Sequence, residues 1–186
     1  MVEGPSRVPS NMRIRFIIMI ALALSLLAAA CSGSDGPVGS PGSTVASDVD
    51  PAVWETELVG FDGSAATLSD YAGSPVVVNF WASWCPSCVA ELGAALQPAY
   101  EAVGEDVAFL GVNIQDESAA ALVMVEETGV LFDLVVDPVG DLYLAFGAIG
   151  MPFTALVDAD GRVVARHNGP LTETQLLDMI EEVFPT

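Results

Sequence analysis

The chain has 186 residues, of which 25 are acidic and only 5 are basic, so its net charge is −20. It contains no lysine, and only two of its arginines, Arg162 and Arg166, lie beyond residue 15. A surface this acidic lacks the cations that bind phosphates and anionic lipid headgroups, which excludes nucleic acid as a partner and predicts a well-solvated domain.

The N-terminal segment has the composition of an export signal. Arg13 and Arg15 precede an apolar run, residues 16–30, that ends in small residues. A positive flank, a short apolar core and small residues at its end predict a secretory signal over residues 1–30. The run is shorter than the roughly 18 residues of a membrane span, and an uncleaved anchor is the alternative. In both cases the following domain is exported.

Cys31 directly follows the small residues, in the stretch "LLAAAC". This stretch resembles a bacterial lipoprotein signal, in which the cysteine is lipidated, but Ala28 stands where leucine is usual. Residues 31–50 are rich in Gly, Ser and Pro, which is typical of a flexible tether, and residues 51–186 form the expected folded domain. Lipidation would hold that domain at the extracytoplasmic face of the bacterial cell membrane. An ordinary signal peptide with an unmodified cysteine is the alternative.

The first half of the domain predicts strands joined by a helix. Alternating residues over 52–73 suggest short strands, and residues 75–82 are apolar on both faces, as in a central parallel strand. A helix should begin at Pro86, since a first turn needs no N–H there, and should bend at Pro98. A second buried strand is expected over residues 107–114. These elements form the first β-α-β unit of a parallel sheet.

The second half adds a helix, a strand, a short helix, a hairpin and a final helix. Asp116 is expected to cap the first of these helices and Gly129 to end it. Gly161 suits the turn of the hairpin, and a T-x-x-Q capping box at Thr172 begins the last helix. The order β-α-β-α-β-α-β-β-α predicts an α/β fold, with helices on both faces of a central mixed sheet.

Cys85 and Cys88 stand three residues apart in "WCPSC", at the start of the first helix. A disulfide between them would close so small a loop that it constrains the unfolded chain little, so a structural role is a poor use of the pair. At the helix N-terminus the Cys85 sulfur lies near unpaired N–H groups, which lower a thiol pKa and predict a nucleophile. Cys88, one turn along and more buried, is expected to resolve the mixed disulfide that this nucleophile forms.

Neighbouring residues complete the predicted site. Trp84 is expected to pack beside the cysteines and shield one side of them, while Pro86 and Ser87 tune their reduction potential. His167, the single histidine, makes with the two cysteines only three soft ligands, one short of a closed zinc site. No metal or other cofactor is therefore expected, and a metal chaperone is left as an alternative.

The run "VVVNFWASWCPSC" resembles the active-site segment of the thioredoxin-like fold, in particular that of the exported, membrane-tethered thiol-disulfide oxidoreductases of the TlpA/ResA type. The resemblance extends over residues 50–185. It implies a thioredoxin-like fold with an N-terminal strand extension and an inserted helix and strand, here residues 116–137. It also implies a cis peptide bond at Pro152, with the backbone of Met151 exposed to pair with an extended substrate strand.

Two residues near the cysteines, Asn79 and Glu91, bear on the transfer of a proton from the Cys88 thiol. Asn79 stands where ordinary thioredoxins have an aspartate, six residues before the first cysteine, and it is expected to tune the pair. Glu91 stands where the TlpA/ResA type often has a buried glutamate. A carboxyl group near an apolar site has a raised pKa, so Glu91 is a candidate for exchanging protons with Cys88. A surface glutamate on the helix is the alternative.

The resemblance implies thiol-disulfide exchange with exported client proteins that contain cysteines. Proteins of this type include cytochrome c-maturation reductases, so we expect reduction of client disulfides, with a membrane electron donor or acceptor renewing the pair. A disulfide-forming oxidase carries the same motif, and a non-enzymatic metal chaperone or adaptor shares the fold. The reduction potential decides between the two enzymes.

Overall fold

The computed structural model describes residues 50–185, so the predicted signal, the tether up to residue 49 and Cys31 lie outside the described residues. The described part of the chain forms a mixed sheet with helices on both faces, the α/β architecture that the sequence predicted. Within this part, no helix has the length and apolar character needed to span a membrane.

Within residues 50–185, seven strands form the sheet. They are β1 (Leu58–Gly60), β2 (Ala65–Ala66), β3 (Val76–Trp81), β4 (Ala108–Ile114), β5 (Asp133–Asp137), β6 (Phe153–Val157) and β7 (Val163–Asn168). Their spatial order is β2-β1-β5-β4-β3-β6-β7, in which β3, β4 and β5 are parallel and the other neighbouring pairs are antiparallel. The three parallel strands therefore end at the same edge of the sheet, the edge at which α/β folds place their active sites.

Helices pack on both faces of this sheet. The α-helices within residues 50–185 are α1 (Pro51–Trp54), α2 (Pro86–Glu91), α3 (Gln97–Val103), α4 (Ser118–Thr128), α5 (Asp141–Ala145) and α6 (Glu173–Val183). A π-helical segment, Leu92–Leu96, joins α2 to α3. At the bend expected near Pro98, the helix forms a wider π-helical turn that ends just before the proline. Pro98 has no N–H to donate to a regular α-helical hydrogen bond.

Strand β3 is buried along its whole length, so its side chains alternate between two apolar cores. Val77 and Trp81 face the core that contains both cysteines and parts of α3, α4 and α6. Val78 and Phe80 face the opposite core, which includes residues of α5. The same alternation places Asn79 on the cysteine side of the sheet.

Helix α4 does not begin as the sequence predicted. Its N-cap is Glu117, and the expected cap, Asp116, instead accepts hydrogen bonds from the backbone N–H and the hydroxyl group of Ser83. The carboxylate is thus held by a partner 33 residues away, which a local capping rule does not foresee. The end of α4 is as predicted, because Gly129 adopts the left-handed conformation with a φ of 68°.

The remaining elements agree with the predicted order. Strands β6 and β7 form the hairpin, and Gly161 in its turn has a φ of 83°. Helix α6 begins with the predicted capping box between Thr172 and Gln175. The inserted helix and strand are α4 and β5, and β1 and β2 extend the sheet beyond β5.

Candidate active site

The two cysteines lie at the edge of the sheet where β3 ends. The chain leaves β3 at Trp81 and reaches Cys85, which is the N-cap of α2. Cys85 and Cys88 form a disulfide with a Cα–Cα distance of 5.3 Å. Cys85 is 7% exposed and Cys88 is 0% exposed, so Cys85 carries the sulfur that a partner molecule can reach.

The first turn of α2 directs polar groups toward the Cys85 sulfur. The N–H of Cys88 donates to this sulfur at 3.3 Å, and the Ser87 hydroxyl oxygen lies 3.5 Å from it. Pro86 occupies the first helical position, where no N–H is needed. When the disulfide opens, hydrogen bonds of this kind stabilise a thiolate at Cys85, which is the nucleophilic form.

Trp84 lies directly before Cys85 and is 56% exposed. Its Nε1 donates to the backbone oxygen of Gln115 at 3.1 Å, so the polar end of the indole is fixed. Because more than half of the side chain is open to solvent, Trp84 offers an apolar surface to an approaching partner.

Glu91 lies one helical turn beyond Cys88, and only 3% of its side chain is exposed. Its Oε1 accepts a hydrogen bond from the Leu171 N–H at 2.6 Å, and its Oε2 accepts one from Asn79 Nδ2 at 3.1 Å. Residues three apart on a helix are neighbours, so the carboxyl group lies on the same side of α2 as Cys88. Of the two alternatives left open by the sequence, the structure shows the buried glutamate.

Burial raises the pKa of Glu91 to about 7, because the ionised carboxylate loses its hydration. The hydrogen bonds from Leu171 and Asn79 favour the ionised form and oppose this shift without cancelling it. A carboxyl group with this pKa exchanges protons near neutral pH, which is what a proton acceptor for Cys88 requires.

The peptide bond between Met151 and Pro152 is cis, as the resemblance implied. It leads into β6, where Thr154 pairs with Asn79 of β3. Asn79 Nδ2 donates to Thr154 Oγ1 at 3.0 Å as well as to Glu91, so a buried polar row connects the cis-proline segment to the carboxyl group behind the cysteines. This contact was not predicted. Its signal in the sequence was the single polar residue in each of two apolar strands, Asn79 in β3 and Thr154 in β6.

A second cluster, also not predicted, holds the loop before Cys85. Asp116 accepts hydrogen bonds from the Ser83 N–H at 2.5 Å, the Ser83 hydroxyl at 2.7 Å, Asn113 Nδ2 at 2.8 Å and the Glu117 N–H at 2.8 Å. Burial acts to raise the pKa of Asp116, but these hydrogen bonds outweigh it and hold the pKa below its usual value. The available signal was the position of Asp116, just beyond the end of a buried parallel strand.

No group of three or more His, Cys, Asp or Glu side chains within residues 50–185 is arranged to hold a metal ion. His167, the single histidine, lies in β7. The three soft ligands considered from the sequence therefore do not form a ligand set in the structure.

Sequence comparison assigns the family. The sequence model of the Redoxin family matches residues 40–182. The chain belongs to the redoxin family. This redoxin is 33% identical over 166 residues to the thiol:disulfide interchange protein DsbE homolog of Paracoccus denitrificans, covering 84% of this chain and 88% of that relative. It is 27% identical over 130 residues to the thiol-disulfide oxidoreductase ResA of Bacillus thuringiensis subsp. konkukian, covering 69% and 74% of the two chains.

Solved structures have the same fold as this redoxin. DsbF of Mycobacterium tuberculosis, in mixed oxidized and reduced forms, is 27% identical with a TM-score of 0.65, over 72% of this chain and 98% of its own. StoA of Bacillus subtilis is 25% identical with a TM-score of 0.61, over 72% of this chain and 100% of its own. The predicted thioredoxin-like fold is confirmed, and with the named relatives the redoxin is a thiol-disulfide oxidoreductase.

The raised pKa of Glu91 predicts how stability depends on pH. The folded-state value of about 7 lies above the ordinary value of 4.5, so folding retains a proton that the unfolded chain releases. The contribution of the retained Glu91 proton to the free energy of unfolding is therefore complete below about pH 4.5, decreases as the pH rises from there, and is lost above about 7. Glu91→Gln should remove this fall, which amounts to at most about 3 kcal/mol, in urea unfolding of the oxidised protein.

Glu126→Gln is the matched control, because Glu126 is exposed on α4. It should reproduce the pH dependence of the unmodified protein. If Glu91→Gln also leaves the pH dependence unchanged, the carboxyl group does not hold a proton in the folded state near neutral pH.

Proposed function

We propose that this redoxin reduces disulfides in exported client proteins, in the manner expected of a cytochrome c-maturation reductase. The proposal is carried by one observation, the buried carboxyl group of Glu91 one helical turn from Cys88. When this group is ionised, it disfavours a second negative charge on the nearby sulfurs, and so it disfavours the reduced pair. A pair whose reduced form is less stabilised is a stronger electron donor.

The composition of the domain supports the same direction. In oxidases with this motif, nearby cations can add to the effect of the helix N-terminus and stabilise the thiolate of the reduced form further. Beyond residue 15 this chain contains only two arginines, one histidine and no lysine, against a large excess of acidic residues. The electrostatic field of this acidic domain therefore disfavours a thiolate at the cysteines and favours electron donation by the reduced pair.

The proposed cycle begins with the reduced pair. The Cys85 thiolate attacks one sulfur of a client disulfide, a bond forms between the two sulfurs, and the other client sulfur leaves and takes up a proton. Cys88 gives its proton to Glu91 and attacks the Cys85 sulfur. This step closes the Cys85–Cys88 disulfide and releases the second client sulfur, which takes up a proton to become a thiol, and Glu91 returns the Cys88 proton to solvent. Two electrons have then passed to the client, and a dithiol of a membrane electron donor restores the pair.

Client binding is proposed for residues around the exposed sulfur. The backbone of Met151, ahead of cis Pro152, would pair with an extended client segment, a mode that depends on main chain rather than on side-chain identity. The exposed indole of Trp84 would contact apolar client groups. Three further residues are proposed to tune the reduction potential through their positions beside the cysteines or Glu91, namely Pro86, Ser87 and Asn79.

We also propose the location that the N-terminal sequence favours. Residues 1–30 would be the signal, residues 31–50 the tether and residues 51–186 the catalytic domain. Cys31 would be lipidated, and because one acyl chain binds a membrane only marginally, a diacylated residue is required for stable anchoring. The tether would then hold the domain at the extracytoplasmic face, within reach of a membrane electron donor.

A redox titration tests the direction of electron flow. Equilibration of the Cys85–Cys88 pair with glutathione or dithiothreitol buffers should give a midpoint potential below about −200 mV, toward the value of about −270 mV found for thioredoxin. A value near about −120 mV, typical of a strong oxidase, would assign the protein to disulfide formation instead. Glu91→Gln is the internal control, and it should make the pair less reducing at pH 8 but not at pH 5, because only ionised Glu91 opposes the thiolate.

Trapping tests the proposed cycle and its clients. Cys88→Ala leaves the nucleophile without its resolving thiol, so mixed disulfides with exported proteins should accumulate and be visible on non-reducing gels. Cys85→Ala lacks the nucleophile and should yield none. Absence of adducts with Cys88→Ala, together with no reduction of insulin by the unmodified protein, would favour a non-enzymatic adaptor or metal chaperone.

Cell fractionation tests the anchor. Cys31→Ser, or treatment with the lipoprotein signal peptidase inhibitor globomycin, should shift the protein from the membrane fraction to the soluble fraction or block its maturation. Ser34→Ala, in the same segment, should leave the protein on the membrane. Full membrane retention of Cys31→Ser would show that lipid at this residue is not the anchor.

A further inference from the structure

The turn between β4 and α4, residues 115–117, contacts the loop that precedes the nucleophilic cysteine; we name it the Asp116 turn. The two carboxylate oxygens of Asp116 accept hydrogen bonds from Ser83, one from its N–H at 2.5 Å and one from its hydroxyl at 2.7 Å. The backbone oxygen of Gln115 accepts a hydrogen bond from Trp84 Nε1 at 3.1 Å. The turn therefore binds the two residues directly before the nucleophile through three hydrogen bonds.

The Asp116 turn is itself fixed to the ends of two strands. Asn113, in β4, donates from Nδ2 to Asp116 at 2.8 Å. Gln115 donates from Nε2 to the backbone oxygen of Val139 at 2.9 Å and from its N–H to that of Asp137 at 3.4 Å. The loop before the nucleophile is thus tied to the ends of both β4 and the inserted strand β5.

Two features of this region are unfavourable when taken alone. Gln115 has a φ of 46°, in the left-handed region that non-glycine residues rarely adopt. Asn113 is fully buried, and its Oδ1 has no hydrogen-bond partner. Strained backbone and unsatisfied buried groups persist where surrounding structure enforces them, and they concentrate at functional sites. Here the strained residue, Gln115, and the residue with the unsatisfied oxygen, Asn113, both hold the turn that directs Asp116 toward Ser83.

We propose that the Asp116 turn is a positioning element for the nucleophile. By holding Ser83 and Trp84, it fixes the Cys85 sulfur in the orientation needed for in-line attack on a client disulfide. The proposal rests on the proposed role of Cys85 as nucleophile. It also gives the inserted helix and strand a task in the reaction, because Asp116 begins that insertion and β5 supports the turn.

The charge of Asp116 allows an effect on the orientation of the Cys85 sulfur to be distinguished from an electrostatic effect on its thiolate. Its pKa is held below the usual value, so the carboxylate is ionised at neutral pH. Removal of a negative charge near Cys85 would by itself favour the thiolate and accelerate attack. Loss of the correct sulfur orientation slows attack, since small displacements of reacting atoms cost large factors in rate. Slower attack by a variant without this charge therefore reports lost positioning.

The experiment measures the rate at which the reduced chain reacts with the aromatic disulfide DTNB, in a Cys31→Ser background that removes the third cysteine. Asp116→Ala should react about tenfold more slowly than the unmodified protein, and Ser83→Ala, which loses only the hydroxyl contact, about threefold more slowly. Asp116→Asn keeps an acceptor oxygen without the charge and should lie between the unmodified protein and Asp116→Ala. Glu126→Ala, which removes an exposed carboxylate from the same insertion, should match the unmodified protein.

A second readout follows the indole that the turn holds. In a Trp54→Phe background, Trp81 and Trp84 remain, and the part of the fluorescence change on reduction that a further Trp84→Phe substitution removes belongs to Trp84. Asp116→Ala should diminish this part of the change. A rate for Asp116→Ala equal to or above that of the unmodified protein, with an unchanged fluorescence response, would overturn the proposal. If Asp116→Ala does not unfold cooperatively on heating, it is not properly folded and Ser83→Ala decides instead. A rate for Ser83→Ala equal to that of the unmodified protein then overturns the proposal.

Failure of the proposed function has a different signature. If the unmodified protein does not react with DTNB, or if Cys85→Ala reacts as fast, then Cys85 is not the nucleophile. The positioning proposal fails where the unmodified protein reacts through Cys85 and the deciding variant reacts at least as fast as the unmodified protein. That variant is Asp116→Ala, or Ser83→Ala where Asp116→Ala does not fold.

Discussion

The burial of β3 on both faces is the constraint on which the site depends. Neither face of the strand meets solvent, so a shift of register by one residue would exchange the two apolar cores and is strongly disfavoured. The fixed register places Asn79 on the cysteine side of the sheet and opposite Thr154 in β6. It also fixes the point at which β3 ends, and with it the start of the loop that leads to Cys85. The position of Cys85 and the contacts of Glu91 therefore have one origin.

Two carboxyl groups near the cysteines are shifted in opposite directions by their surroundings. Glu91 is buried and receives hydrogen bonds from Asn79 and Leu171 that do not replace its lost hydration, so its pKa rises to about 7. Asp116 is less buried and receives four hydrogen bonds, so its pKa falls. Glu91 can therefore take up and release a proton near neutral pH, whereas Asp116 remains a fixed charge that holds its donors. The number of donors, more than burial alone, separates the two groups.

The parts of the structure that follow from neighbouring residues could be predicted from the sequence. The helix at Pro86, the turn at Gly161 and the long apolar run of β3 each depend on a few adjacent positions. Asp116 was assigned to the wrong partner because capping rules consider only the next residues in the chain, while Ser83 meets it across the edge of the sheet. The burial of Glu91 was left open for a related reason. Helical spacing does not reveal what covers a side chain, and its backbone donor, Leu171, lies 80 residues further along.

In the two proposals, Glu91 and Asp116 act on the same cysteine pair through separate structural elements. Glu91 is held by Asn79 and by Leu171, and neither of these residues is among the hydrogen-bond partners of Asp116. Groups without shared partners contribute nearly additively to free energies. The equilibrium between the dithiol and the disulfide, which depends on charge near the sulfurs, can therefore change through Glu91 while the orientation of the nucleophile is retained. Conversely, changes in the Asp116 turn can alter the rate of attack while the proton affinity of Glu91 is retained. Because the Asp116 turn bonds the loop while Glu91 takes its hydrogen bonds from Asn79 and Leu171, one fold can adjust the orientation of Cys85 without changing the hydrogen bonds of the buried carboxyl group.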